Sequence, residues 1–595
     1  MSYDFDTRVF GGGVVPDDRL SADRHTNSFF PITRFFTRAE VEARQKELRY
    51  NLLVAAGLVP FPEKKPLNVR RERIGTYDGF SVEKIMFETR PGFWSTGNLY
   101  LPDPLPKKAP AIFNVIGHWM EQRLTRLEAA DYPQQFANFA KMGFIALATD
   151  MIGTVDSRQI THAYGGGEKE LYLSNGLGVQ LWNNIRALDL LCSMPEVDET
   201  KIGVTGASGG GSQTLFLALA DDRVRAAAPI NMISLRMQGG CDCENAPGLR
   251  RGTDNCEMCA MLAPRPLFLA GSTGDWTCEQ ETKEIDGILE AYRPFGAEDK
   301  VEHYYQVAPH QYNARTRKRV YNFFARHLMG KDIEWEEVPV DFTDSADLTW
   351  FRGEGHAPGV EGDEEFFETF KVERTKSVAA LPAEEKRRML AWMTGIRAAR
   401  AIPADGFTEY RDGITCEKSV LLSDGGKMIP FVRLTPDFWD GRRCCLALGG
   451  EGKAVVNSPE IKAMLEDGIA VVSGDLFLTG EYGDARVRVA GDGQGQKYFT
   501  TFHYTADAYR AADTALLWTL LEGEDKYLYA EGPSARAAAC ALPLLKGVSR
   551  ATLDKAALAL RSDAELMEKC FIPGIGLLGG IEGCLGLADC WMDWI

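Results

Sequence analysis

Two stretches of this chain match each other at a nearly constant separation, and no other feature of the sequence limits the fold as much. Asp78-Gly79-Phe80-Ser81-Val82-Glu83-Lys84 corresponds to Asp412-Gly413-Ile414-Thr415-Cys416-Glu417-Lys418 at an offset of 334 residues. Phe144–Asp150 corresponds to Ile469–Asp475 at 325, and Gly206-Ala207-Ser208-Gly209 to Gly532-Pro533-Ser534-Ala535 at 326. Chance matches would not keep step in this way, so the chain reads as an internal duplication. The second copy stops at Ile595, before the positions where the first copy places its later loops, and is expected to be truncated and degenerate.

Within the first copy, apolar runs and helical patterns alternate. Ala111–Ile116, Phe144–Thr149, Ile202–Thr205, Val224–Ile230, Pro266–Ala270 and Val301–Val307 read as strands. Tyr132–Lys141, Leu177–Cys192 and Ser212–Ala220 read as helices between them. Strands joined by helical crossovers imply a doubly wound, mostly parallel α/β sheet. Residues 1–75 read as an arm, with a capping box at Thr37-Arg38-Ala39-Glu40 opening a helix that runs to about Ala56. Residues 76–330 form the complete copy and 405–595 the degenerate one. Residues 331–404, with the acidic tract Glu361–Glu368 and a charged helix near Ala383–Ala401, read as a connecting segment.

The chemistry concentrates in the first copy. Gly206-Ala207-Ser208-Gly209-Gly210 stands between a strand and a helix, where a turn too tight for larger side chains exposes a serine as a nucleophile. A glycine-rich phosphate loop would need a Lys-Ser/Thr ending or G-x-G-x-x-G spacing, and neither is present. Asp275, in Gly271-Ser272-Thr273-Gly274-Asp275-Trp276, follows a strand, as an acid that orients a base must. A turn aspartate capping a helix near Cys278 is the plainer alternative. Of the histidines downstream, His303 lies within a strand and His327 near the end of a helix, whereas His310 follows Pro309 in a loop. Ser208, Asp275 and His310 therefore stand in the order nucleophile, acid, base. The oxyanion donors expected are the backbone N–H groups of Gly209 and of Trp119, in Gly117-His118-Trp119. His118 and Trp276 are expected to contact substrate, although Trp119 and Trp276 could equally serve packing.

In the second copy Ser534 takes the place of Ser208, but the only histidine there, His503, precedes it, so Ser534 reads as a relic. Gly449-Gly450-Glu451-Gly452-Lys453 lacks nucleotide-loop spacing and reads as the relic of an oxyanion loop. Cys241-x-Cys243 and Cys256-x-x-Cys259 have the look of a zinc ligand set. With no histidine near them in the sequence and a tight C-x-C arm, they are expected instead to form a thiol-rich loop beside the site. No metal is expected. The thirteen cysteines, an odd number in mostly apolar contexts, are expected to be reduced.

Residues 76–330 resemble the acetyl xylan esterase-related α/β-hydrolases of bacteria. The resemblance is carried by Arg90-Pro91-Gly92-Phe93, Asn98-Leu99-Tyr100-Leu101-Pro102, Gly206-Ala207-Ser208-Gly209-Gly210-Gly211 and Cys243-Glu244-Asn245-Ala246-Pro247-Gly248. It continues through Ala263-Pro264-Arg265-Pro266, Gly274-Asp275-Trp276 and Pro309-His310. It implies an α/β-hydrolase fold, a Ser208–His310–Asp275 triad, hydrolysis of small acyl esters such as acetylated sugars, and no metal or organic cofactor. The chain departs from the family where Gly117-His118-Trp119 stands in place of His-Gly-aromatic. A serine peptidase or amidase of the prolyl oligopeptidase type shares the serine turn but usually carries a β-propeller, and no blade repeat occurs here. A non-catalytic scaffold is the remaining alternative.

The net charge of -17, from 84 acidic and 67 basic residues, opposes binding to nucleic acid or anionic membrane. No apolar run reaches the roughly 18 residues of a membrane span. MSYDFDTRVF has no basic and apolar leader, so a cytoplasmic protein is expected. The expected partner is a small-molecule ester, and a homo-oligomer is compatible with the sequence.

Overall fold

The computed structural model describes residues 4–10, 19, 21–22, 24–341, 345–352, 355–398, 401–404, 406–423, 427–482, 488–489 and 497–595. The chain divides into two compact units, 25–166 with 174–372, and 1–24 with 167–173 and 373–595.

The first unit holds a nine-stranded sheet of β1 (Arg70–Tyr77), β2 (Phe80–Arg90), β3 (Phe93–Pro102), β4 (Ala109–Val115), β5 (Ile145–Thr149), β6 (Val197–Ala207), β7 (Val224–Ile230), β8 (Leu267–Gly274) and β9 (Val301–Pro309). Their order across the sheet is β9-β8-β7-β6-β4-β5-β3-β2-β1. The pairs from β5 to β9 are parallel, and β1–β3 form an antiparallel edge. Ile145–Thr149 and Ile202–Ala207 are buried along their length, as a sheet covered on both faces requires. On one face, Phe136 and Phe139 of the helix Tyr132–Lys141 and Phe323 and Phe324 of the helix Ala314–Phe324 pack with Ile112, Ala146, Ala226 and Phe268.

The second unit repeats this order. Its strands are β10 (Ala401–Pro403), β11 (Phe407–Arg411), β12 (Ile414–Ser423), β13 (Met428–Pro436), β14 (Arg443–Leu448), β15 (Ala470–Gly474), β16 (Asp525–Ala530), β17 (Val548–Leu553) and β18 (Trp591–Trp594). They run β10-β12-β13-β15-β14-β16-β17-β18, with β11 paired to β12. The exchange of β4 and β5 in the first sheet recurs as the exchange of β14 and β15 in the second.

Each unit also carries a buried cation between two carboxylates. Arg123 lies 2.8 Å from Asp150 and 2.7 Å from Asp156, with all three side chains shielded from solvent. Lys453 pairs with Asp475 and lies 2.6 Å from Glu481. Asp150 and Asp475 each follow the strand that has exchanged places, β5 or β15.

Residues 1–75 do not stay together. The described residues among 1–24 cluster with the second unit, and 25–75 with the first. The helix Arg38–Ala55 begins at the Thr37–Glu40 capping box and buries Val41, Leu48, Leu52 and Ala55 along one stripe. The connecting segment divides as well, between Val372 and Glu373. Its acidic tract is not a linker. Asp363, Glu364 and Glu365 form the first turn of the helix Asp363–Ala379, where carboxylates favour the positive helix end. The next helix runs Ala383–Thr394, shorter than expected, because Gly395 adopts a left-handed conformation that ends it. Among the described residues no helix is long and apolar enough to cross a membrane.

Candidate active site

Ser208 is the N-cap of the helix Gly209–Ala220 and has φ 61°, ψ −128°. A non-glycine residue rarely adopts such a conformation, at a cost of about 1–3 kcal/mol, so the surroundings must enforce it. They do so by crowding. A Cβ at Gly206 would lie 2.2 Å from the Val115 carbonyl oxygen, and one at Gly210 would lie 2.4 Å from the same atom. Only glycine fits on either side of the turn, and Ser208 is left half-exposed at its apex. The Ser208 N–H donates to the Ile230 carbonyl at 3.0 Å, tying the turn to the end of β7. The Gly209 N–H sits at the first helical position, where no intrahelical acceptor exists.

Asp275 and His310 leave the carboxyl ends of β8 and β9, at the same end of the parallel strands as Ser208. His310 Nδ1 lies 2.8 Å from Asp275 Oδ2. The same oxygen accepts from Asn231 Nδ2 at 2.8 Å, and Oδ1 accepts from the Thr277 N–H at 2.7 Å. Burial alone would raise the Asp275 carboxyl, but the bonds from His310, Thr277 and Asn231 hold it below the usual carboxylate range. His310 Nε2 is buried and has no hydrogen-bond partner, Ser208 included. His303 is exposed on β9.

Both tryptophans border the histidine. Trp119 stacks on the His310 ring at 5.8 Å with an interplanar angle of 11°, and Trp276 lies 4.5 Å from it, tilted by 40°. A cavity of about 520 Å³ is lined by Glu121, Arg158 and Arg352 together with Met120, Leu124 and Val155, so its wall mixes polar and apolar groups.

His118 does not stand alone. Its Nε2 lies 3.1 Å from His162 Nε2 and 3.4 Å from Cys243 Sγ, and His162 Nε2 lies 3.1 Å from Cys241 Sγ. The sequence places no histidine near the cysteines, but the loops after β4 and β5 bring two. Cys256 and Cys259 take no part; they are buried in the helix Asn255–Ala260. The four-cysteine zinc set is therefore not assembled. Sequence reading also missed Asn231, whose only signal is a polar residue directly after an apolar strand. His162 follows a strand's carboxyl end as His118 does, which is the one hint it carries.

Residues 75–232 match the family model described as acetyl xylan esterase. The hydrolase-like protein YtaP of Bacillus subtilis (strain 168) is 24% identical over 261 residues, covering 40% of this chain and 85% of its own length. Among solved structures, methylesterase BT1017 is 23% identical, with 60% of this chain and 77% of the other covered at a TM-score of 0.43. The acetyl xylan esterase from Paenibacillus sp. R4 is 20% identical, with 50% and 97% covered at a TM-score of 0.33. A glucuronoyl esterase from Solibacter usitatus is 15% identical, with 54% and 99% covered at 0.37.

Proposed function

We propose that this carboxylic ester hydrolase, whose residues 75–232 fall within the acetyl xylan esterase family, cleaves small acyl esters of a carbohydrate, acetyl esters foremost, through an acyl-enzyme on Ser208. The observation that carries the reading is the buried His310 Nε2 left without a partner while Nδ1 is bound to Asp275. A buried polar atom without a partner costs about 1–3 kcal/mol, which makes sense if the partner arrives with the reaction.

The chemistry follows from the protonation this arrangement favours. Asp275 is ionised and accepts the Nδ1–H of His310, so Nε2 carries the lone pair. Nε2 takes the proton of the Ser208 hydroxyl as Oγ attacks the ester carbonyl. The oxyanion forms against the Gly209 N–H, with a second donor from the Gly117–Trp119 loop. Protonated His310 then gives its proton to the departing alkoxide, leaving an acyl-serine and an alcohol. A water molecule, deprotonated by the same Nε2, releases the acid. Trp119 and Trp276 close two sides of the histidine and offer faces on which a sugar ring stacks.

The second unit reads as a duplicated copy without catalysis. Its strand order and buried cation support the duplication, and the conformation of Ser534 supports the loss of function. Positive φ has moved to Gly532 at 56°, and Ser534 begins the helix Ser534–Ala541. The Ser534 hydroxyl is buried and donates to the Gly449 carbonyl at 2.8 Å.

The test is hydrolysis of nitrophenyl acetate and acetylated sugars alongside peptide amides, with a fluorophosphonate probe. Labelling at Ser208, ester turnover and a roughly 10⁴-fold or greater loss in Ser208→Ala are expected. Amide turnover without ester turnover would favour a peptidase, and an unlabelled Ser208 a scaffold.

A further inference from the structure

We propose that His118, His162, Cys241 and Cys243 form a closed Cys₂His₂ site for a tetrahedral divalent cation, zinc being the ion this donor set favours. The site does not depend on Ser208 being the nucleophile.

Three loops supply the ligands, and all leave the carboxyl ends of parallel strands: His118 after β4, His162 after β5, and Cys241 and Cys243 after β7. The four donor atoms lie within 4.8 Å of one another. Zinc binds imidazole nitrogen at about 2.0–2.1 Å and thiolate sulfur at about 2.3 Å, so tetrahedral ligand pairs sit about 3.3 Å apart for N···N and about 3.5 Å for N···S. The observed separations are 3.1 Å between the two Nε2 atoms, 3.1 Å from His162 Nε2 to Cys241 Sγ and 3.4 Å from His118 Nε2 to Cys243 Sγ. These three separations lie within a few tenths of an ångström of the tetrahedral values.

The shell behind the ligands is built for this task. His162 Nδ1 lies 2.8 Å from the Ile152 carbonyl and donates its proton there, which leaves Nε2 unprotonated toward the cluster. The C-x-C turn is held by buried side chains. Glu244 Oε2 accepts from the N–H groups of Gly240 and Cys241, both at 3.2 Å, and Oε1 accepts from the Ser212 hydroxyl at 2.6 Å. Asn245 Nδ2 donates to the Cys241 carbonyl at 2.9 Å, and Arg250 donates to Asn245 Oδ1 at 2.8 Å. Without a cation, two imidazole nitrogens 3.1 Å apart cannot both present lone pairs, whereas an ion between them accepts both.

Four protein ligands leave no open coordination position, so the ion would hold loops together rather than polarise substrate. The loop that matters most is that of His118. A Cβ placed on Gly209 would lie 2.3 Å from the His118 ring, so the ligand rests directly on the backbone that follows Ser208.

The experiment uses the full-length protein. Elemental analysis after expression in zinc-supplemented medium and desalting is expected to give about one zinc per chain. Metal-free protein reconstituted with Co²⁺ should show thiolate-to-cobalt charge transfer in the near ultraviolet and the intense visible bands of a tetrahedral site. Cys243→Ser and His162→Ala should lose both signals, and Cys256→Ser and Cys259→Ser should keep them. Circular dichroism separates loss of a ligand from loss of the fold. Wild-type protein that takes up no stoichiometric zinc and gives no charge-transfer band would overturn the proposal, as would folded Cys243→Ser and His162→Ala variants that bind like wild type. Should either variant unfold, the wild-type cobalt spectrum decides alone.

Discussion

His310 Nδ1 lies 2.8 Å from Asp275 Oδ2, which leaves Nε2 as the ring nitrogen that would take the serine proton in the proposed mechanism. His303, seven residues earlier, is exposed on β9. His310→Ala should therefore lower ester turnover by about 10³-fold or more, and His303→Ala by less than about twofold. Parallel kinetics on nitrophenyl acetate check this, and a loss confined to His303→Ala would reverse the assignment.

Asp275 gives a pH dependence of stability. Its folded carboxyl titrates below the unfolded value of about 3.9. Folding therefore favours the ionised form, and the stabilisation is fully present above about pH 4 and lost as pH falls through the folded value. Asp275→Asn forgoes it. The variant should be less stable than wild type by about 1–2 kcal/mol at pH 5–7, with the gap closing below about pH 4. Urea unfolding across this range measures it, and a gap that stayed constant down to pH 3 would contradict the account.

Removing Arg123 should be costly. Arg123→Leu leaves Asp150 and Asp156 buried without their cation, at about 3–5 kcal/mol. Burial already raises the Asp150 carboxyl to about 6, with the Arg123 charge opposing it. An acid whose folded value is raised destabilises the fold as pH rises from about 4 through that value, because the folded state must give up a proton it prefers to keep. Without Arg123 the folded value climbs further. The deficit of the variant should widen between pH 5 and pH 8, and denaturation midpoints at those two values test the sign.

Ser534→Ala should leave turnover within about twofold of wild type, because the hydroxyl it removes is buried against the Gly449 carbonyl. Stability should fall by about 1 kcal/mol for the lost hydrogen bond. A large loss of turnover in a folded variant would give the second unit a part in the chemistry.

Much of the first sheet was legible because its strands are apolar runs closed by glycine, proline or aspartate. The start of β6 was not. Asp198, Glu199, Thr200 and Lys201 continue the strand with polar, partly exposed residues that carry no apolar signal. The arm and the connecting segment each fall across the two compact units, and sequence proximity says nothing about which core a segment joins. At the site, chain order and loop position pointed to Ser208, Asp275 and His310. The His162–Cys241 approach spans 79 residues and arises only because β5 and β7 end at the same edge of one sheet. No local pattern records such a meeting. The cysteine spacing even pointed away from it, toward Cys256 and Cys259.

The two buried cations invite a different lesson. Arg123 with its carboxylates lies in the unit that carries the half-exposed serine, and Lys453 with Asp475 and Glu481 lies in the unit whose serine is buried. A search for reactive centres by buried charge would select both equally. The backbone does not: Ser208 is held at φ 61°, whereas Ser534 lies in a helix. On the proposed reading of the second unit as a copy without catalysis, the strain at its serine could be released at once, because nothing else would depend on it. The ionic brace cannot be released one member at a time, since each single loss strands a charge. On that reading the ionic brace would outlast the chemistry, and the serine turn, not the buried charge, would tell an active copy from an inactive one.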